Sequence, residues 1–409
     1  MLSVLPAPDY WLLFTHIKMQ TQGNIVPVST AKGVDVERIE KELASMWTEA
    51  SDDEAGGEAE AGAGVTRACA LNLIVYTTKQ DDRARLDKVL DEVSQQHPGR
   101  MLVLVTDSAA AEASLDAYVS MRCRILAGNR KQVCGEQVMI EATGLAVSMA
   151  ATAVAPLLVP DVPVFLWWKD IPHYEDTLFN RLAAMADRIV IDSAAFDHPQ
   201  DDLLRLAQIL SERAAAMRVS DLNWGRLTSW RMLIASFWDV PGYRSRLDLI
   251  DHVAIEYDPP DVAHNEIAPK ALLVLGWLAS RLGWQPVPAH TPHETEGSIA
   301  RFTLRAGHGL IEVEMRPTTD REDCDGMMAS LKLSARSSGA EFYVALSPDR
   351  TKLQTGAMIG GQRTAGRVLS YEARTEGQRL GRELAFITRD MIYEEAVAVS
   401  AALVESLRG

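Results

Sequence analysis

The chain has 409 residues, of which 47% are hydrophobic and 24% charged, and its formal net charge is −15. That is ordinary globular usage, with enough length for two domains that each bury a core. The negative excess argues against nucleic acid or an anionic membrane as the main partner, since both attract clustered positive charge, and leaves a protein or a small metabolite.

Residues 1–33 read as an N-terminal arm. Their apolar patch, MLSVLPAPDYWLLFTHIKMQ, is interrupted by Asp9, two prolines and His16, and no basic stretch leads into an apolar run with a cleavage site. Over 34–50 the spacing of Val36, Ile39, Leu43 and Met46 predicts a helix with one apolar face. The next stretch, SDDEAGGEAEAGAG at 51–64, holds five acids and four glycines and no bulky apolar group. It buries too little surface to offset its conformational entropy and reads as a flexible acidic linker.

From 65 to 198 apolar strands alternate with helices. Strands are expected at 68–78, 101–107, 117–126, 132–142, 163–168 and 188–192, and helices at 81–96, 144–155 and 174–186. Continuous apolar strands between helices imply an α/β domain, Rossmann-like or flavodoxin-like, with a mostly parallel sheet covered on both faces. Leu145 to Trp168 is apolar enough to suggest a membrane helix. Pro156, Pro160 and Pro163 oppose that, because proline in a helix interior costs about 3 kcal/mol. The stretch reads instead as a buried helix ending near Pro156, a turn, and a buried strand. No G-x-G-x-x-G follows the first strand and no P-loop is present. Ser108, after the second strand, suits a helix cap or an anion at the helix start.

Residues 199–409 begin with helices and continue with a second sheet. A helix is expected at 201–217. Ser220 to Asp239 holds three of the nine tryptophans, with Leu227, Trp230, Leu233, Ile234, Phe237 and Trp238 at helical spacing, Asp221 or Asn223 as cap, and Arg226 and Arg231 off the stripe. A further helix follows at 266–283. The runs 298–307 and 309–318 alternate with a period of two around Gly307 to Gly309 and predict a hairpin. Strands at 327–337, 341–348 and 352–359 and helices at 375–388 and 390–407 complete an α+β domain with an antiparallel sheet.

No nucleophile and base stand in a recognisable motif, so the candidate sites are surfaces for contact. Trp230, Arg226 and Arg231 offer the residue types that anchor protein partners, although a core helix would show the same periodicity. Trp167, Trp168 and Lys169 lie at the end of a strand, where ligands collect in open α/β sheets, and alternation commits at least one ring to packing. Arg363, Arg367, Arg379 and Arg382 form a local cationic excess able to grip carboxylates or phosphates, or a solvated helix face. His290, His293 and Glu294 stand in a proline-rich loop with too few ligands for a metal. The four cysteines, Cys69, Cys123, Cys134 and Cys324, form no CxxC, which fits a reducing cytoplasm. Cys123 and Cys134 fall on neighbouring strands, close enough to meet or to pack as small apolar groups.

Five strings in order, TRACALNLIVYTT at 66–78, QVCGEQVMIEATG at 132–144, VPDVPVFLWWKDIP at 159–172, RIVIDSAAF at 188–196 and the tryptophan segment at 220–239, resemble the OpcA family of glucose-6-phosphate dehydrogenase assembly proteins. The resemblance spans roughly 33–400. It implies a non-catalytic partner, without a cofactor, that binds glucose-6-phosphate dehydrogenase, activates it allosterically and promotes its active oligomer in the oxidative pentose phosphate pathway. Cyanobacterial members of that family pass thioredoxin-dependent redox control to the dehydrogenase. Here thioredoxin would have only Cys123 and Cys134 as a pair, and no cysteine lies beyond Cys324. The contrasting reading is an enzyme or sensor that binds a sugar phosphate or nucleotide in the crevice near Trp168 with the C-terminal arginines.

Overall fold

Two units make up the chain, residues 1–165 and 166–409. The computed structural model describes residues 26–27, 29–30, 33–55, 65–125, 132–173, 175–213, 217–288, 299–318, 325–364, 366–371 and 374–408.

In the first unit three short strands, β1 (Val26–Pro27), β2 (Ser29–Thr30) and β3 (Gly33–Val34), precede helix α1 (Val36–Ala55) and strand β4 (Val65–Arg67). Then come β5 (Asn72–Thr78), α2 (Arg83–Gln96), β6 (Arg100–Asp107), β7 (Ser114–Ile125), β8 (Gln132–Thr143) and α3 (Ala150–Val154). The sheet runs β1-β7-β8-β6-β5, with β4 also on β8. β5, β6, β8 and β4 pair in parallel, and β7 and β1 extend the sheet antiparallel. Continuous burial along β5 and β6 matches strands covered on both faces. Asp82 caps α2 by accepting from the Arg85 amide, and Leu86, Val89, Leu90 and Val93 turn inward.

α1 buries Ile39 and Leu43. It continues to Ala55, five residues past the expected end, and residues 56–64 lie outside the described residues. Its anchor is polar. Arg100, with only 4% of its side chain exposed, pairs with Glu40 of α1 and Glu136 of β8 and donates to the Leu157 carbonyl. Trp47 of α1 donates to Glu136 at 2.6 Å.

Two local expectations fail here. No helix follows Ser108: the Ala110 amide closes a turn on Asp107, and the Ser114 amide donates to Thr143, so the chain turns directly into β7. The buried helix expected at 144–155 shrinks to α3 between two 3-10 turns. Gly144 lies at φ +52 and Pro156 stands in the closing turn. Leu145 and Met149 are exposed, 87% and 63%, instead of buried.

Strand β9 (Val164–Trp168) spans the boundary between the units. In the second unit follow α4 (Thr177–Ala183), β10 (Arg188–Ile191), α5 (Pro199–Glu212) and β11 (Val219–Asp221), which is parallel to β10. Helices α6 (Leu222–Arg226), α7 (Thr228–Ser236) and α8 (Pro241–Leu247) lead to β12 (His252–Tyr257), α9 (Pro269–Leu282) and β13 (Gln285–Pro286). The hairpin β14 (Ala300–Ala306) and β15 (Gly309–Pro317) forms as expected. β16 (Met328–Ala335), β17 (Ala340–Leu346), β18 (Lys352–Ile359), β19 (Gln362–Thr364) and β20 (Val368–Ser370) follow, and α10 (Glu376–Glu383) and α11 (Met391–Arg408) close the chain.

The second sheet has the order β13-β14-β15-β12-β16-β17-β18-β19, with β20 on β18. β12, which the sequence reading missed, is its centre. It pairs in parallel with β15 and antiparallel with β16, and its alternate residues Val253, Ile255 and Tyr257 are buried. The α/β and α+β classes read from the sequence are both present.

α9 and α11 cross where Gly276 faces the Ala396 carbonyl and Ser400. Ser400 is fully buried and donates to Leu272 and Ala396. A Cβ at Gly276 has no room, so Gly276→Ala is expected to destabilise the chain by about 1–3 kcal/mol through forced separation of the helices. Thermal melting checks this; an unchanged midpoint would show that the crossing yields freely.

Candidate functional site

β10 and β11 lie side by side in parallel, so their carboxyl ends deliver Asp192 and Asp221 to one place, the usual position of a ligand crevice in such sheets. Asp221 is fully buried and accepts from the Ser193 amide (3.0 Å), the Ser193 hydroxyl (2.6 Å), the Asn223 amide (2.8 Å) and the Tyr393 hydroxyl (3.3 Å). Burial, reinforced by the charge on Asp192, pushes its carboxyl up to about 6. As expected from the sequence, Asp221 caps the helix that follows.

Asp192 caps the 3-10 turn at Ser193–Ala195 and takes both terminal nitrogens of Arg226, at 2.5 and 2.7 Å. Burial alone would raise its pKa, but the Arg226 guanidinium outweighs burial and holds it below the ordinary range. Two further cations come from distant sequence. α9, whose second residue is Lys270, packs against α6 and the 193–195 turn, and α10, which carries Arg379, packs on α6. Burial, with Arg226 adding repulsion, lowers Lys270 to about 8; the same two causes lower Arg379. Burial raises the Tyr371 hydroxyl above its ordinary range, and the nearby Arg379 and Arg226 guanidinium groups and the Trp230 indole oppose that rise.

The expected tryptophan helix is broken. Leu227 separates α6 from α7, and a 3-10 turn, Phe237–Asp239, ends the segment. Its arginines turn inward: Arg226 goes to Asp192, and Arg231 stacks 3.5 Å over the Trp224 ring. Burial lowers Arg231 to about 10. Trp224 in turn donates to Asp390 at 2.9 Å, and Trp230 is 2% exposed. Periodicity placed Arg226 and Arg231 correctly off the apolar stripe but could not show that this face is covered by the chain itself.

The other expected residues separate into buried and open. Trp167 and Trp168 are both buried, Trp168 edge-on to Phe179 at 5.0 Å, and Lys169 lies 5.5 Å from the Trp167 ring. Arg363, Arg367 and Arg382 are exposed, while Arg379 alone of that group joins the Asp192 cluster. Cys123 and Cys134, directly opposite on β7 and β8, are joined in a disulfide, so of the two alternatives read from the sequence they meet and do not pack as separate thiols. Cys324, His290, His293 and Glu294 lie outside the described residues; among the described residues no cluster of His, Cys, Asp and Glu is suited to a metal. No described helix is long and apolar enough to cross a membrane.

The sequence reading did not find Ser193, Asp192, Lys270, Tyr371 or Tyr393 as site residues. A signal existed for the first two, since an apolar strand ending in Asp occurs twice, as RIVID and VSD. A separate surface feature is the connector between α10 and α11. Phe386, Ile387, Met391 and Ile392 are exposed by 63%, 47%, 51% and 41%. The connector's backbone is clamped: buried Arg188 donates to the Phe386 and Thr388 carbonyls and pairs with Glu383 at 2.9 Å.

The family described as glucose-6-phosphate dehydrogenase subunit N-terminal domain matches residues 90–208, and the corresponding C-terminal domain family matches residues 217–397. A protein of Nostoc punctiforme named OpcA, of the OxPP cycle, is 31% identical over 77% of this chain and 67% of its own length. Its namesake in Synechocystis sp. is 31% identical over 78% of this chain and 66% of its own length. The chain thus spans about two thirds of the curated relatives it matches. Among solved structures, an oxidoreductase domain protein from Kribbella flavida is 10% identical with a TM-score of 0.43, covering 84% of this chain and 98% of that one.

Asp221 should leave a signature in pH dependence. Its carboxyl titrates near 6 when folded and near ~3.9 when unfolded, so its stabilising effect is full below about pH 4 and is lost as pH rises through 6. A shift of about two units corresponds to roughly 3 kcal/mol. Asp221→Asn, which cannot ionise, should lose less stability than the parent chain between pH 4.5 and 7.5. Melting curves across that range test it, and parallel curves for the two proteins would contradict the assignment.

Proposed function

Because this chain belongs to the OpcA family of glucose-6-phosphate dehydrogenase subunits, we propose that it is a non-catalytic cytoplasmic assembly factor: it binds glucose-6-phosphate dehydrogenase, favours the enzyme's active oligomer and so supports the oxidative pentose phosphate pathway. The observation that carries the reading to a surface is the clamped connector between α10 and α11. Phe386 and Ile387 of the connector and Met391 and Ile392, the first two residues of α11, stand in solvent, and exposed large apolar side chains grouped in this way mark an interaction site. Because Arg188 fixes the backbone, docking the connector costs little ordering entropy.

In this reading the exposed Arg382 beside the connector, together with Arg363 and Arg367, supplies the polar rim that sets orientation. Trp230 and Arg231 act beneath the surface, since Arg231 and Trp224 brace the segment against Asp390 at the connector's end. Lys169, with Trp167 and Trp168 packed behind it, is a second candidate contact. Activation follows from mass action: a factor that binds the active oligomer more tightly than other states raises its population by the ratio of the affinities.

Mixing the chain with its cognate dehydrogenase should give a larger species by light scattering and higher dehydrogenase activity. Phe386→Asp with Met391→Asp should weaken the complex about tenfold or more, as loss of buried apolar anchors does. Unchanged affinity in that double variant would remove the connector from the interface. Absence of any complex at micromolar concentration, or turnover of a metabolite by the chain alone, would overturn the reading.

A further inference from the structure

The carboxyl ends of β10 and β11 gather cations that the side chains there do not pair. Asp192 is fully engaged by Arg226. Among the described residues, neither Lys270 nor the Arg379 guanidinium makes a hydrogen bond or ion pair, and Arg379 Nε is closed off from solvent without an acceptor. Two more carboxylates act at longer range. Asp325 is exposed and accepts from the Asp261 amide, and Glu376 begins α10.

The position of Lys270 sharpens the imbalance. It occupies the first turn of α9, which has neither an acidic residue nor a capping side chain. The start of a helix carries about half a positive charge, so a lysine is unfavourable there. Burial and the neighbouring Arg226 oppose its charge as well. Helix start, half-burial and cation crowding are three separate costs at one place, and a bound anion relieves all three.

We propose that Arg226, Lys270 and Arg379, together with the start of α9, bind a phosphate monoester at the carboxyl ends of β10 and β11. Arg226 is already paired with Asp192, whereas Lys270 and Arg379 have carboxylates only at longer range and no close counter-ion, and a phosphate monoester carries close to two negative charges at neutral pH. Arg379 supplies a planar fork and Lys270 a point charge, the pair of donor types that phosphate recognition uses. Asp192 positions Arg226, and Asp221 beneath it fixes the two strand ends. This site lies outside the dehydrogenase-binding reading and requires no partner, so the two fail independently.

The test uses the full chain alone, titrated by calorimetry and thermal melting with inorganic phosphate, a hexose 6-phosphate and the unphosphorylated hexose, with sodium chloride at matched ionic strength. Both phosphates should give a saturable rise in melting temperature, and hexose and chloride none. Lys270→Gln and Arg379→Gln should each weaken phosphate binding by about tenfold or more. Without phosphate they should melt at or above the parent temperature, because each removes an unpaired, crowded charge. Arg363→Gln should bind as the parent does. Tighter binding of the hexose phosphate assigns the site to a phosphorylated metabolite, and equal binding assigns it to the free anion. The proposal is overturned if chloride reproduces the shift, if Lys270→Gln keeps the phosphate response, or if both variants destabilise the phosphate-free chain.

Discussion

Asp221 is the constraint on which the second unit's functional geometry depends. A carboxylate shut away from water is tolerated only when its oxygens are satisfied, and here Ser193, Asn223 and Tyr393 do so. Those donors come from the turn after β10, the start of α6 and the C-terminal helix α11. One side chain therefore fixes the spacing of two strand ends and their registration against the last helix. Arg226 reaches Asp192 because α6 starts where Asp221 caps it, so the cation cluster follows from the same carboxylate.

β10 links this cation cluster to the opposite side of its layer. Arg188, its first residue, holds the α10–α11 connector, and Asp192, immediately after its last, holds Arg226. Four residues of strand advance only about 13 Å. The exposed apolar side chains around 386–392 and the cation cluster are thus attached to opposite ends of one short, fully buried segment. Neither depends on a long loop for its position.

Class and order of elements were legible because burial imposes periodicity. The parallel strands read as continuous apolar runs, the β14–β15 hairpin as alternation about a glycine turn, and Asp221 as a cap. β12 escaped because HVAIEY is short and flanked by helical sequence, although its alternation, with Val253, Ile255 and Tyr257 inward, was available. The helix after Ser108 was wrong because a serine before alanines suits either a cap or a turn, and the Ser114–Thr143 contact that decides between them is 29 residues apart. The site was only partly visible for the same reason. Arg226 and Arg379 were singled out as surface cations, but their meeting with Lys270 is a product of tertiary packing of α6, α9 and α10, which no local pattern encodes.

The central place of β12 imposes an order on biosynthesis. The ribosome releases residues 252–257 before either of the strands they join, β15 at 309–317 and β16 at 328–335. Until those emerge, both edges of β12 offer open amides and carbonyls, the template on which strands from other chains add. Nascent chains halted between about 260 and 335 would be the aggregation-prone species, and a chaperone acting on this protein during translation would find its work there.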